Sequence, residues 1–248
     1  MMNMEKTTVQ KNAIVTGGTK GIGLAIAEML LKEGYAIIVT YAHDEAAVTV
    51  CQKRFSAISP NFEILQVNQA SKEDMHAFAL KMKEKGHIDC LVCNAGTTSR
   101  NHLTAITEED WEYVMQTNVN SNVYLIRDLY DVIPHGSRII FTGSLMGLLP
   151  HSVSLSYGVT KAAMHALAQN LVKVFEGTNT TVNAIAPGFV ETEWQKTKPQ
   201  EVRNNIYNKT AIKRFADPEE IANAVKFCIY NAFVNGSIIE ISGGYCFK

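Results

Sequence analysis

The chain has 248 residues, 46% hydrophobic and 19% charged, with a formal net charge of −1 at pH 7, an ordinary globular composition long enough to bury a full core as one domain spanning 1–248. So even a charge balance gives no bulk attraction to nucleic acid or to an anionic membrane, and no apolar run approaches the roughly 20 residues that span a bilayer. The cysteines Cys51, Cys90, Cys93, Cys228 and Cys246 are odd in number and lie mostly in apolar surroundings, with no partner pair for Cys90 and Cys93; reduced core thiols in a cytoplasmic protein are expected, and no metal.

The leader from Met1 to Thr8 has no hydrophobic core and does not read as a signal peptide. Ala13-Ile14-Val15 is a short apolar run, followed by Thr16-Gly17-Gly18-Thr19-Lys20-Gly21-Ile22-Gly23 and then by apolar residues at helical spacing: Ile22, Ala25, Ile26, Met29, Leu30. A strand therefore runs through a glycine turn into a helix. Glycines let the backbone turn tightly and approach a pyrophosphate, while the helix start offers free N–H groups and a favourable dipole to negative charge. The spacing, Gly17-x3-Gly21-x-Gly23, differs from the commoner G-x-G-x-x-G.

The alternation continues. Strands are expected at 36–40, 63–67 and 88–93, and helices at 45–55 and 73–85. Near-continuous β-branched strands alternating with helices imply a parallel sheet covered on both faces. Right-handed crossovers then give an α/β, Rossmann-type doubly wound sheet of about seven strands, with its ligand at the carboxyl ends of the strands. Asn94-Ala95-Gly96 closes the fourth strand at that edge, where small residues suit close passage of a cofactor.

Thr107 caps a helix whose first turn carries Glu108, Glu109 and Asp110; it is expected to run to 133, where Pro134 stops it. Asn118, a mediocre helix former inside it, is a candidate for a polar task. Ile139-Ile140-Phe141-Thr142-Gly143 leads to Ser144, and Ser156-Tyr157-Gly158-Val159-Thr160-Lys161 opens a long helix reaching about 175. Tyr157 and Lys161 share one helix face, one turn apart. At about 4 Å and an effective dielectric near 20, the ammonium favours the phenolate by roughly 4 kcal/mol, which would place the phenol roughly three units below its ordinary pKa of about 10. After a strand at 182–186, Pro187-Gly188 turns the chain over the pocket mouth, and the polar, weakly periodic stretch 189–215 reads as a mobile lid. The lid and the apolar loop 145–153 line the substrate side. Asp217-Pro218-Glu219-Glu220 opens a helix, and 237–241 is the last strand.

Thr16-Gly17-x3-Gly21-x-Gly23, Asn94-Ala95-Gly96, Asn118, Ser144, Tyr157-x3-Lys161 and Pro187-Gly188-x3-Thr192 occur in order. Together they resemble the short-chain dehydrogenase/reductase family over nearly the whole chain, and within it the 3-oxoacyl-[acyl-carrier-protein] reductases. The resemblance implies an NADP(H)-dependent oxidoreductase transferring hydride to a carbonyl, reducing a 3-oxoacyl thioester in fatty acid synthesis. The alternative is another alcohol or ketone, such as a sugar, a steroid or a small secondary alcohol. A catalytically dead cofactor-binding regulator is opposed by the intact Ser144, Tyr157 and Lys161.

By the same resemblance, Tyr157 is the general acid and Ser144 polarises the carbonyl. Lys161 lowers the Tyr157 pKa and holds the nicotinamide ribose, and Asn118 supports a water linking Lys161 to solvent. The implied cofactor positions are Gly17, Thr19, Lys20, Gly21, Ile22 and Gly23 in the first turn; Tyr41, Asn68 and Gln69 beyond the next two strands; Asn94, Ala95 and Gly96; Tyr157 and Lys161; and Pro187, Gly188, Val190 and Thr192. A homotetramer through the helices around 107–133 and 157–175 is implied as well. Cys93, Asn68 and Ser242 depart from the family pattern, where an Asn, an Asp and an Asp are usual. NADP(H) is expected over NAD(H): Thr40 and Tyr41 put no carboxylate at the end of the second strand, Lys20 offers a positive charge, and Asp44 and Glu45 are expected to cap the next helix. From Phe189 to Arg214 six cations (Lys196, Lys198, Arg203, Lys209, Lys213, Arg214) face three acids (Glu191, Glu193, Glu201), an excess of three. That excess suggests an anionic substrate or one carried on an acidic protein. Lys173 resembles a carrier-protein docking position, and His135 stands at a second one.

Overall fold

A computed structural model describes residues 10–150 and 154–245. The leader, the end of the apolar loop at His151–Val153, and Cys246 lie outside the described residues. Seven parallel strands form one sheet in the order β3-β2-β1-β4-β5-β6-β7. They are β1 (Asn12–Val15), β2 (Ala36–Tyr41), β3 (Phe62–Gln66), β4 (Cys90–Cys93), β5 (Arg138–Thr142), β6 (Thr181–Pro187) and β7 (Ile238–Ile241). From β1 the chain works outward through β2 to β3, then returns to place β4 on the other side of β1. The strand order therefore reverses between β1 and β4, and a crevice opens there at the carboxyl edge.

The uninterrupted apolar runs of the central strands follow from burial on both faces. On one face α1 (Gly21–Lys32), α2 (Glu45–Ser56) and α9 (Pro218–Tyr230) cover a core containing Val15, Leu30, Ile37 and Val225. On the other, α3 (Lys72–Lys85), α5 (Ser121–Leu129) and α6 (Leu155–Val174) cover Ile14, Leu91, Phe141 and Met164. Polar side chains set the helix starts: Asp44, Ser71, Thr107 and Ser154 each accept a first-turn backbone N–H, and Asp217 with Glu220 forms a capping box.

Two expectations change. The helix from Thr107 is not continuous: α4 (Glu108–Met115) passes through a π-helical turn, Gln116–Asn120, into α5, and a 3-10 turn follows at Tyr130–Val132. The segment expected as a lid folds into α7 (Glu193–Lys196) and α8 (Gln200–Lys209). In α8 only Ile206 is buried, so the sequence carries almost no apolar stripe there.

Cys90 and Cys93 are spaced C-x-x-C, yet an odd separation along a strand points their thiols to opposite faces, and each belongs to a different core. They cannot share a metal or a disulfide. No helix among the described residues is long and apolar enough to cross a membrane. Cys51, Cys90, Cys93 and Cys228 are buried free thiols, and burial pushes Cys90 up to about 12. A thiol reagent at pH 8 should leave all four unmodified in the native protein and label them in denaturant. Peptide mapping that found native labelling at Cys90 or Cys93 would contradict this packing.

Candidate active site

The crevice is built by tying the turn after β1 to the turn after β4. Thr16 Oγ1 accepts the backbone N–H groups of Asn94 and Ala95, each at 3.0 Å. Asn94 Nδ2 returns two bonds, to Thr16 O at 2.9 Å and Gly17 O at 3.1 Å. Gly17 and Gly21 have φ of +63° and +54°, which L side chains rarely adopt. A Cβ at Gly23 would overlap Gly17 O and lie 2.5 Å from Asn94 Nδ2. The first turn of α1 has no acidic residue and no side-chain cap, so its N–H groups stay available.

The resulting cleft has a volume of about 530 Å³, and every residue expected to touch the cofactor lines it, together with Ser144. Asn118 stands behind its wall. The glycine cradle and the uncapped helix start fit the pyrophosphate of a dinucleotide. A Cβ at Gly96 would lie tight against Asn118 Oδ1, at 3.2 Å, and in ordinary contact with Lys161 Nζ, at 3.5 Å.

Lys161 is 3% exposed. Its Nζ donates to Thr142 O at 2.7 Å and lies 5.5 Å from the centre of the Tyr157 ring. Burial pushes its pKa down to about 8. Tyr157 is hydrogen-bonded to Ser144, which favours the phenolate, but burial outweighs that bond and raises its pKa. The expected lowering by Lys161 is thus absent from the free protein: the ammonium sits beside the ring, bonded to a carbonyl, and burial of the phenol dominates. Ser144 Oγ accepts Met146 N–H at 3.1 Å, which leaves its hydroxyl proton to donate.

Asn118 sits within the π turn, fully buried. Its Oδ1 accepts Thr97 N–H at 2.7 Å, and its Nδ2 donates to Thr97 O and Thr160 Oγ1, both at 2.9 Å. It clamps the loop after β4 to α6, and both its amide hydrogens are used. Gln69, expected at the cofactor, spends its amide on Thr117 O, Ser121 Oγ and Asn122 Oδ1, tying the loop after β3 to the π turn. Asn68 Oδ1 accepts Ala70 N–H at 3.1 Å, so the acceptor expected for adenine already has one partner. Lys20 pairs with Asp44 at 2.8 Å, and Asp44 caps α2 as expected.

Sequence reasoning did not assign Thr16, Tyr113 or Trp194. Thr16 was findable as a hydroxyl closing an apolar strand. Trp194, on α7, lies with its ring centre 6.2 Å from that of Tyr157, a contact no local pattern announces. Of the six cations from Phe189 to Arg214, Arg203 pairs with Glu191, Lys196 with Glu193 and Arg214 with Glu220.

Comparisons with known proteins agree with this arrangement. The family described as short chain dehydrogenase matches residues 11–203. The 3-oxoacyl-[acyl-carrier-protein] reductase FabG of Vibrio cholerae is 31% identical over 98% of this chain and 98% of its own. A short-chain dehydrogenase/reductase from Serratia marcescens superposes with a TM-score of 0.89 at 25% identity, covering 95% of this chain and 98% of that one. The Pseudomonas aeruginosa RhlG/NADP active-site complex superposes with a TM-score of 0.87 at 29% identity, covering 96% of both.

Substitution Gly23→Ala should weaken dinucleotide binding at least tenfold and lower the melting temperature, because its methyl must displace Gly17 O or Asn94. Titration calorimetry and a thermal melt measure both; wild-type affinity in the variant would remove the cradle from cofactor binding.

Proposed function

The chain belongs to the short-chain dehydrogenase family, and on that premise we propose that it is an NADP(H)-dependent carbonyl reductase acting on a 3-oxoacyl thioester carried by acyl-carrier protein. The observation that carries the chemistry is the hydrogen-bonded Tyr157–Ser144 pair beside a buried Lys161 at the end of the cleft. When bound, the nicotinamide cofactor supplies the hydride; the hydrogen bonds and the proton come from the chain. Gly17, Gly21 and Gly23 with the first turn of α1 hold the pyrophosphate, Asn94–Gly96 and Lys161 the nicotinamide ribose, and Lys20 the 2′-phosphate. That last contact requires Lys20 to leave Asp44.

The Ser144 hydroxyl donates to the carbonyl oxygen and polarises it, and Tyr157 Oη delivers the proton as negative charge develops. The raised pKa of Tyr157 keeps it protonated and ready to give. The phenolate left behind is stabilised by Ser144 and by the Lys161 cation, and Asn118 keeps the helix carrying both residues in register with the loop after β4.

The choice of substrate rests on the curated relatives, reductases of the same length at 30–31% identity. Charge supports it less than the sequence suggested. Of those three lid pairs only that of Arg214 draws on an acid from outside the segment, Glu220, so they leave two of the three excess charges, while Lys173 already bonds Glu176 at 3.2 Å. A second reading, reduction of a bulky apolar ketone, is favoured by Trp194 beside Tyr157 and by Tyr113 on the same cleft. A soluble homotetramer goes with either reading; Val123 on α5 and Leu155 and Val159 on α6 are exposed on the helices expected to pair.

Tyr157→Phe should cut kcat by about 100- to 10,000-fold with cofactor affinity near wild type, since only the proton donor is lost. Activity within a few-fold of wild type would take Tyr157 out of the acid role. The wild-type reduction rate should fall as pH rises past about 8, because Lys161 is a cation below that value and neutral above it. A rate flat from pH 7 to 10 would contradict its part in stabilising the phenolate. A panel of 3-oxoacyl thioesters on carrier protein, short neutral 3-oxo thioesters and aromatic ketones, assayed with NADPH and NADH, separates the two substrate readings. The first predicts the highest kcat/KM for the carrier-bound thioester with NADPH, falling as salt is added.

A further inference from the structure

His165 lies one turn beyond Lys161 and two beyond Tyr157, so the three share a face of α6. Its ring is buried against the end of β5, and its Nε2 accepts the backbone N–H of Ser144 at 3.3 Å. Accepting at Nε2 puts the ring proton on Nδ1. That nitrogen is buried and has no hydrogen-bond partner among the described residues. An aliphatic side chain could fill the same space without stranding a ring N–H, but it would strand the N–H of Ser144 instead. Burial, then the charge of Lys161, push His165 down to about 4, so at neutral pH it stays an acceptor.

Two neighbours confirm how closely the ring is set. A Cβ at Gly143 would overlap Nε2, and one at Gly147 would stand 2.8 Å from Cε1. Neither glycine has a positive φ, so contact with surrounding atoms, the imidazole among them, is what excludes a side chain there. The ring therefore lies against both ends of the segment that carries Ser144, from Gly143 just after β5 to the 3-10 turn Leu145–Gly147.

We propose that His165 is a positioning residue for the carbonyl-binding hydroxyl: by holding the Ser144 N–H it fixes the turn after β5 and so aims the Ser144 hydroxyl at Tyr157 and the substrate oxygen. The proposal rests on Ser144 and Tyr157 being the carbonyl site. His165 is not among the residues that line the cleft. Its effect passes through Ser144, and this separates it from a residue that only fills the core.

The test is a double-mutant cycle with a tautomer measurement. His165→Leu should lower kcat at least tenfold with cofactor affinity unchanged. His165→Gln, whose side-chain oxygen reaches the place of Nε2, should recover activity to within about threefold of wild type, while His165→Asn, too short to reach, should not. In a Ser144→Ala background, His165→Leu should cost less than threefold, because the group it aims is gone. Full additivity, equal activity of the Gln and Asn variants, or a His165→Leu enzyme within threefold of wild type would overturn the proposal. Failure of both polar variants to fold would overturn it too, since that assigns His165 to the fold. Nitrogen NMR of the imidazole in the wild-type protein needs no turnover. A neutral ring protonated at Nδ1 is expected, and protonation at Nε2 excludes the bond. If wild type reduces no ketone, the carbonyl-reductase reading fails, and the tautomer result still decides the Ser144 bond.

Discussion

An ammonium group buried at the end of a parallel sheet is the constraint on which this molecule turns. Among the described residues Lys161 has a single oxygen partner, Thr142 O at 2.7 Å, with the Met164 sulfur at 3.5 Å. Taking a cation out of water costs several kcal/mol unless other groups compensate. Part of that cost shows as a pKa pushed down to about 8. The same burial places the charge beside Tyr157 and against the floor of the cleft at Gly96, where it strengthens every interaction it makes because little water screens it.

The surrounding polar groups hold that arrangement in place. The π turn at Gln116–Asn120 swings Asn118 inward, where it bonds both Thr97 and Thr160 and so joins the loop after β4 to α6. An extra residue in one turn of a helix is a common device at functional sites. Here it lets a helix of ordinary composition present a buried amide sideways. Gln69 braces the same turn from the other side, through Thr117 O and Ser121 Oγ. Thr16 and Asn94 do the equivalent work at the switch point. The cleft walls are therefore cross-linked by side-chain bonds between turns that lie far apart in sequence.

Much of this was legible in the chain. The alternation of apolar strands and helices gave the doubly wound sheet, and each glycine-rich or Asn-bearing turn fell at the carboxyl edge where the motif spacing put it. The parts that were not legible share a cause: they depend on contacts between distant segments or on depth of burial. Nothing around Asn118 breaks a helix, so the π turn left no trace. Lys20 and Asp44 find each other across two strand ends, and Arg203, Lys196 and Arg214 find Glu191, Glu193 and Glu220, of which only Glu220 lowers the net charge counted for the segment. The direction of the Tyr157 shift reversed for the same reason. A one-turn spacing specifies proximity to Lys161, but how deeply the phenol is buried depends on the whole fold around it.

Trp194 lines the same cleft, its ring centre 6.2 Å from that of the Tyr157 phenol. The proposed acid and the indole beside it thus come from different elements, α6 for the first and the segment after β6 for the second. The central claim is that this crevice brings a reduced nicotinamide and a carbonyl together with Tyr157 as the acid. It is tested most directly by following the transferred hydrogen. Wild-type protein is incubated with NADPH carrying deuterium at its transferable position and a 3-oxoacyl thioester or an aromatic ketone, and the product is examined by mass spectrometry and NMR. The account predicts an alcohol with deuterium on the former carbonyl carbon and ordinary hydrogen on the oxygen, formed in step with cofactor oxidation. Cofactor binding with no deuterated alcohol from any carbonyl substrate would contradict it.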